Sequence, residues 1–301
     1  MGIDDRQISM NSMPRSPRCI FCGKTARFFF EKKNSLGIFP VFRCDSCRGA
    51  FIWPRPSPDE ALSLYQTETY SDLSLERSDE LDLEYYPNSR MDARRIITHC
   101  LALTPGRSFF DIGAGHGTYS LAAREAGFDV SACEPSPKAR TVFAARLGFK
   151  PGPGAFDDSM AVRLKNRFDV VLLSQTLEHV PNPEGTARNL NSILRTAGIV
   201  AIAVPHFGSA LSKIQGKNDM YISPPEHLNF FSKSGLISLF IRAGFQMVHL
   251  ETVSKIPKQY VQKILRHSIL TQIGWKAGYG LMRLLDKIRL GIVLNAYFRK
   301  H

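Results

Sequence analysis

Asp111-Ile112-Gly113-Ala114-Gly115-His116-Gly117 is the stretch on which the reading of this chain turns. The short apolar run Ser108–Asp111 leads into it as a strand, and Thr118–Ala126 leaves it as a helix. Glycines at such a junction allow a sharp turn and let backbone amides approach a ligand closely. Working outward, Ser89–Leu103 has helical spacing at Ile96, Ile97, Cys100 and Leu101. Downstream, Asp129–Cys133 reads as a second strand and Ser136–Leu147 as its helix. A third strand near Phe149–Ala155 is weakened by Pro151, Gly152, Pro153 and Gly154. Phe168–Leu173 is the clearest strand, followed by a helix at Glu184–Arg195 and a strand at Ile199–Val204. A helix at Lys233–Ala243 and strands at Phe245–Val253 and Gly291–Phe298 close the order. The alternation predicts an α/β architecture with a mostly parallel sheet covered on both faces.

The 301 residues are 44% hydrophobic and 22% charged, which excludes a wholly disordered or fibrous chain. The longest uncharged stretch, Thr196–Ser212, is broken by Pro205 and His206, so no membrane span is expected. Asp4 and Asp5 with no apolar segment beside them argue against a signal peptide, and a cytoplasmic chain is expected. The net charge of +12 is concentrated: residues from Thr252 onward carry ten Lys or Arg against Asp286 alone. A charge confined to one tail makes the main body a poor general nucleic-acid binder.

Four of the six cysteines form two pairs, Cys19-x-x-Cys22 and Cys44-x-x-Cys47. Two such turns can present four thiolates to one tetrahedral Zn²⁺. The apolar segments Phe28–Phe30 and Ile38–Phe42 flank a turn at Asn34–Gly37, so a hairpin between the knuckles, a zinc ribbon, is expected. Cys100 and Cys133 stand alone in apolar surroundings and read as buried thiols. The expected organisation is a leader over 1–17, the ribbon over 18–53, a Pro-rich linker and tyrosine-bearing cap over 54–87, and the α/β domain over 88–301. Asp59 and Glu60 can open a short helix through Gln66.

Two details specify the glycine loop. Thr118 stands where a dinucleotide fold wants a third glycine, and Asp111 precedes the turn, placed to face an ammonium group. Glu134, 21 residues past Gly113, ends the second strand where a carboxylate can take both hydroxyls of a ribose. With the stretch FDVVLLSQTLEHVPNP at 168–183, the chain resembles the class I S-adenosylmethionine (SAM) dependent methyltransferases over residues 88–253. The resemblance implies a Rossmann-like seven-stranded fold with SAM as cofactor. By it, Asp111, Gly113, Gly115 and Gly117 would line the cofactor and Glu134 its ribose. Asp157 or Asp158 would meet the adenine, and Gln175 would lie beneath the cofactor.

Pro225-Glu226-His227-Leu228-Asn229-Phe230-Phe231-Ser232 extends the likeness. Together with the four cysteines, it is similar to the zinc-binding sugar methyltransferases. That similarity implies His227, Glu226 and His179 as active-site residues and a sugar or glycan as the small-molecule acceptor. Tyr221 lies five residues before Glu226, displaced from its place in the sugar C-methyltransferases, which also continue into a further domain; O-methylation is the expectation. A neutral His227 would take the acceptor proton, with Glu226 or Glu178 orienting its ring. Two other readings compete: an RNA methyltransferase gripping its substrate with the ribbon, and a SAM-fold binding protein without turnover. Ser174–His179 lacks the NPPY-like motif of base N-methyltransferases, which disfavours the first; the intact Asp111, glycine loop and Glu134 favour cofactor binding.

Lys255–Arg289 is an insert between the last two strands. Val261, Ile264 and Leu265 follow helical spacing, as do Leu281, Leu284, Leu285 and Ile288; Arg283 and Lys287 fall one turn apart, and Trp275 and Tyr279 stand at the junction. Such a basic amphipathic helix can cap the domain or lie on an anionic membrane surface.

Overall fold

The computed structural model describes residues 16–66, 89–254 and 280–301. Residues 1–15 of the expected leader, the tyrosine-bearing part of the cap over 67–87 and the insert residues Val261, Ile264, Leu265, Trp275 and Tyr279 lie outside them.

Seven strands form the main sheet: β4 (Ser108–Ile112), β5 (Asp129–Glu134), β6 (Gly152–Pro153), β7 (Phe168–Ser174), β8 (Leu194–Pro205), β10 (Phe245–Val253) and β11 (Val293–Lys300). Their order is β10-β11-β8-β7-β4-β5-β6. All pairings are parallel except those of β11, which runs antiparallel to β8 and β10. β4 lies between β5, the next strand in the chain, and β7, which comes two strands later still, so the connections diverge there and open a crevice at the strand ends.

β7 shows why the sheet is central. Val170, Val171, Leu172 and Leu173 are all fully buried, because helices cover both faces. Alternate residues serve opposite layers. Phe110, Ile112, Val171 and Leu173 pack toward Leu190, Ile193, Leu236 and Phe240, whereas Phe109, Val170 and Leu172 pack toward Ile96, Ile97, Cys100 and Ala123. Cys100 and Cys133 are buried, and burial pushes both thiols up to about 12.

Most element boundaries lie within a residue of the sequence expectation, and three larger differences have physical reasons. The helix expected to reach Arg195 ends at Ile193, and β8 starts at Leu194. Between the partners Phe168↔Leu194 and Val170↔Ile199 the register shifts, with Ala197 held at φ 60°, so Arg195–Gly198 bulge out of a strand that begins early. The weak third strand shrinks to Gly152–Pro153, since proline cannot donate to the ladder. The last strand starts at Val293 rather than Gly291. Gly291 turns tightly, its amide donating to Thr252 Oγ1 at 3.1 Å.

A second, four-stranded antiparallel sheet holds β1 (Ala26–Asn34), β2 (Gly37–Cys44), β3 (Ala50–Ile52) and β9 (Asn229–Phe230) in that order. The ribbon is therefore not a separate unit: its last strand comes from the segment just after His227. The short helix Pro58–Gln66 opens on a capping box, in which Ser57 N donates to Glu60 Oε2 and Glu60 N to Ser57 Oγ. Near the C-terminal end, residues 280–287 are helical, with Leu281, Leu284 and Ile288 exposed beside Lys287. Among the described residues no helix is long and apolar enough to cross a membrane.

Candidate active site

The glycine loop leaves β4 at the crevice. Asp111 is buried and accepts from Ser120 Oγ at 2.7 Å. Burial pushes its carboxyl up to about 7; the Ser120 bond opposes the rise and the charge of Glu134 adds to it. Glu134 closes β5, with Oε2 accepting from Gly115 N and Oε1 from Ser136 N, each at 2.8 Å. Burial also raises Glu134, against those two bonds.

Gly113 and Gly115 are glycine for different reasons. Both have positive φ, 68° and 51°, but a Cβ on Gly113 would lie 2.6 Å from Thr176 Oγ1, while one on Gly115 meets nothing within 4 Å. The loop is thus packed on one side and open at Gly115. Gly117 caps the helix Thr118–Glu125, and Leu147 and Phe143 occupy the space its side chain would need, a packing demand that the sequence did not reveal. Gln175 follows β7 with φ 52°, and both its amide and its Nε2 donate to Ala203 O. Asp157 caps the helix Asp158–Arg163, its Oδ1 accepting from Met160 N and Ser159 Oγ; Asp158 accepts from Asn189. Both acids thus have local structural work beside any contact with a cofactor.

Leu177–His179 form one 3-10 turn directly after β7. The imidazoles of His179 and His227 meet edge to face, their centroids 4.7 Å apart. His179 Nδ1 lies 2.9 Å from Glu226 O and His227 Nδ1 lies 2.7 Å from Tyr221 O. A carbonyl can only accept, so both rings carry their proton on Nδ1 and a lone pair on Nε2. This corrects the expected orienting role of the Glu226 or Glu178 side chain. The Tyr221 carbonyl holds His227 instead, because a turn fixed by Ile222 N to Asp219 O and Tyr221 N to Asp219 Oδ1 presents that carbonyl to the ring. Glu226 contributes its main-chain oxygen to His179. Burial lowers both imidazoles, His179 to about 3 with His227 adding to the effect, so both are neutral near physiological pH.

His227 opens onto a small pocket with Pro205, Phe207, Asp219, Tyr221 and Asn229. Close to both imidazoles, Glu178 is 1% exposed, neither carboxylate oxygen has a hydrogen-bond partner, and burial pushes its carboxyl up to about 8. Arg55 was not anticipated. Its guanidinium donates to Val180 O, Pro181 O and Leu228 O at 2.8–2.9 Å, clamping the segments that follow His179 and His227. Its partners are carbonyls, which leave no trace in side-chain identity.

The four knuckle cysteines converge as well. Their sulfurs lie within 4.8 Å of one another, with Cys19–Cys47 at 3.6 Å and Cys22–Cys44 at 3.5 Å. Four thiolates about 2.3 Å from one tetrahedral ion would sit at similar separations. The cluster touches the main domain: Ser232 Oγ and Ser234 Oγ both donate to Cys47 O, and Phe21 packs against Phe51 and Phe231.

The family described as a methyltransferase domain matches residues 88–250. An uncharacterised methyltransferase of Mycobacterium leprae is 30% identical over 101 residues, 33% of this chain and 37% of that protein, so the chain spans little more than a third of that relative. The ubiquinone biosynthesis O-methyltransferase of Azoarcus is 28% identical over 52% of this chain and 72% of its own. Among solved structures, the 1,6-didemethyltoxoflavin N1-methyltransferase of Burkholderia thailandensis, with its substrate and S-adenosylhomocysteine bound, aligns over 90% of this chain and 99% of its own. The TM-score is 0.52 at 17% identity. A SAM-dependent methyltransferase of Archaeoglobus fulgidus aligns over 74% of this chain and 100% of its own, with a TM-score of 0.53 and 17% identity. At these identities the structural likeness establishes the fold.

Proposed function

The chain belongs to the methyltransferase domain family, and from that premise we propose that it transfers the methyl group of SAM to a hydroxyl of a small-molecule acceptor, a sugar of a glycan or glycosylated precursor. The observation that carries the site reading is the tautomer of His227. With Nδ1 committed to Tyr221 O, Nε2 keeps its lone pair, and His227 lines a small pocket at the end of β8, beside Pro205. Bound SAM supplies a methyl group activated on a sulfonium. Gly113 and Gly115 would let the loop backbone approach it, Asp111 would face its ammonium, Glu134 would take the ribose hydroxyls, Asp157 would meet the adenine and Gln175 would lie beneath the cofactor. Each of these residues stands at or beside the strand ends that form the crevice.

His227 Nε2 would remove the acceptor hydroxyl proton as the O–C bond to the methyl group forms and the methyl C–S bond breaks, with S-adenosylhomocysteine as the leaving group. His179 packs its ring against His227 and limits its rotation, while the Glu226 carbonyl holds His179. Asp219, buried in the same pocket, compensates the charge that His227 gains; its charge already opposes the effect of burial on that ring. Cys19, Cys22, Cys44 and Cys47 hold a structural Zn²⁺, a reading supported by their donor chemistry and spacing. The exposed Leu281, Leu284 and Ile288 beside Lys287 support a peripheral contact with an anionic surface, which suits a lipid-linked acceptor.

Incubating the protein with methyl-labelled SAM and panels of nucleotide sugars and lipid-linked glycans tests the reading. His227→Ala should reduce label transfer by on the order of 10² while leaving S-adenosylhomocysteine affinity within about twofold. Full transfer by the variant would remove His227 as the base. Absence of S-adenosylhomocysteine binding to the wild type would overturn the cofactor assignment.

A further inference from the structure

Glu178, His179 and His227 form a second convergence of ligand-type side chains, and we propose that they bind a first-row divalent cation of the zinc type at a site separate from the four cysteines. One ligand atom from each lies within 4.8 Å of the others, and His179 Nε2 is 3.9 Å from Glu178 Oε1. Bonds of about 2.0–2.2 Å to one ion place ligand atoms roughly 3–4 Å apart, so modest rotamer adjustment closes the set.

Three features point to an ion. First, both oxygens of Glu178 are buried with no hydrogen-bond partner, and such a carboxyl is costly without a cation or donor. Second, each histidine is anchored through Nδ1 on a backbone carbonyl, the arrangement that orients Nε2 in metal sites. Third, Asn229 Oδ1 is also buried and unpaired, while Asn229 Nδ2 is fixed by Leu177 O and Val180 O at 2.9 and 2.8 Å. A further oxygen donor is therefore at hand beside His227. Two imidazoles and a carboxylate favour zinc-like ions over magnesium or calcium.

The other histidine and carboxylate cluster, His99, His249 and Glu251, lacks these features. Arg95 sits 3.3 Å from its carboxylate, and its two rings stack face to face. The cation site stands on these residues alone; its consequence rests on the proposed role of His227. An ion on His227 Nε2 occupies the lone pair that would take the acceptor proton, so the cation inhibits transfer.

The test is metal stoichiometry. Full-length protein with its cysteine site filled is dialysed against Zn²⁺ and its bound metal counted, with S-adenosylhomocysteine binding as the check on folding. The expected result is one equivalent beyond that held by the cysteines, with Co²⁺ in that position showing no thiolate charge transfer. Glu178→Gln and His227→Asn should each weaken the extra equivalent by about tenfold or more and keep the first. No extra equivalent, or its persistence in either folded variant, overturns the site; should one variant fail to bind S-adenosylhomocysteine, the other decides. Loss of the extra equivalent leaves the methyl-transfer reading standing, because label transfer is measured separately.

Discussion

Ser232 Oγ donates to the carbonyl oxygen of Cys47 at 2.5 Å across 185 residues of chain. That bond joins the second cysteine knuckle to the segment that carries His227, and β3–β9 pairing runs beside it through Ala50↔Phe230 and Phe51↔Asn229. The cysteine knuckles and the histidine pocket are one mechanical unit.

With the proposed Zn²⁺ held by the cysteines, a strong chelator should therefore disturb the pocket before the glycine loop. Amide hydrogen exchange at residues 227–232 should accelerate, while exchange at 111–117 changes little. Equal acceleration in both segments would show that the ribbon supports the whole domain rather than this edge.

The two loop glycines should separate in mutagenesis. Gly113→Ala places a methyl group against Thr176 and should lower stability, by about 1–3 kcal/mol in urea denaturation. Gly115→Ala costs about 1 kcal/mol for its left-handed backbone but should weaken S-adenosylhomocysteine binding more than it weakens the fold. The reverse pattern would place the ligand on the other side of the loop.

Asp111 should give cofactor binding a pH dependence. Its folded-state carboxyl is raised to about 7 by burial, whereas the unfolded chain releases that proton near the ordinary carboxylate value. The folded state thus holds more protons between those limits, and this group's contribution to stability declines as pH rises through them. A ligand ammonium needs the ionised form. S-adenosylhomocysteine affinity should therefore rise with pH up to about 7 and then level off, with proton release on binding below that point. Calorimetry in buffers of different ionisation enthalpy measures both, and Asp111→Asn should flatten the profile.

Arg55 should be intolerant of shortening or neutralisation. Arg55→Leu strips Pro181 O of its donor and removes one of two donors from Val180 O, which keeps Asn229 Nδ2, and from Leu228 O, which keeps Ile52 N; it should cost about 1–3 kcal/mol. Arg55→Lys should recover little, because an ammonium does not reproduce the planar fork. Denaturant midpoints decide, and a neutral lysine variant would mean that the clamp is held by charge rather than by direction.

How much of this was legible in the sequence follows from which signals are local. The glycine loop, the apolar run of β7 and the paired cysteines each announce themselves within a few residues; that Glu134 accepts from Gly115 N was not legible, because its partner is a backbone amide. β9 did not announce itself: Asn229-Phe230 is two residues long and becomes a strand only because β3 lies beside it. The carbonyls of Tyr221 and Glu226 that fix the histidine tautomers are backbone atoms, invisible to residue-type reasoning. Glu178 read as a helper of His227, yet burial leaves its carboxyl without any hydrogen bond. The bulge at Arg195–Gly198 likewise arises from cross-strand register rather than from local composition.

The place of β9 at the edge of the ribbon sheet also bears on biosynthesis. The nascent chain releases β1, β2 and β3 from the ribosome first, but β9 emerges about 180 residues later, on the order of ten to forty seconds at ordinary elongation rates. During that interval the outer edge of β3 is an open template for foreign strands. Translation speed and early chaperone contact should therefore govern the soluble yield of this protein more than the final stability of its ribbon does.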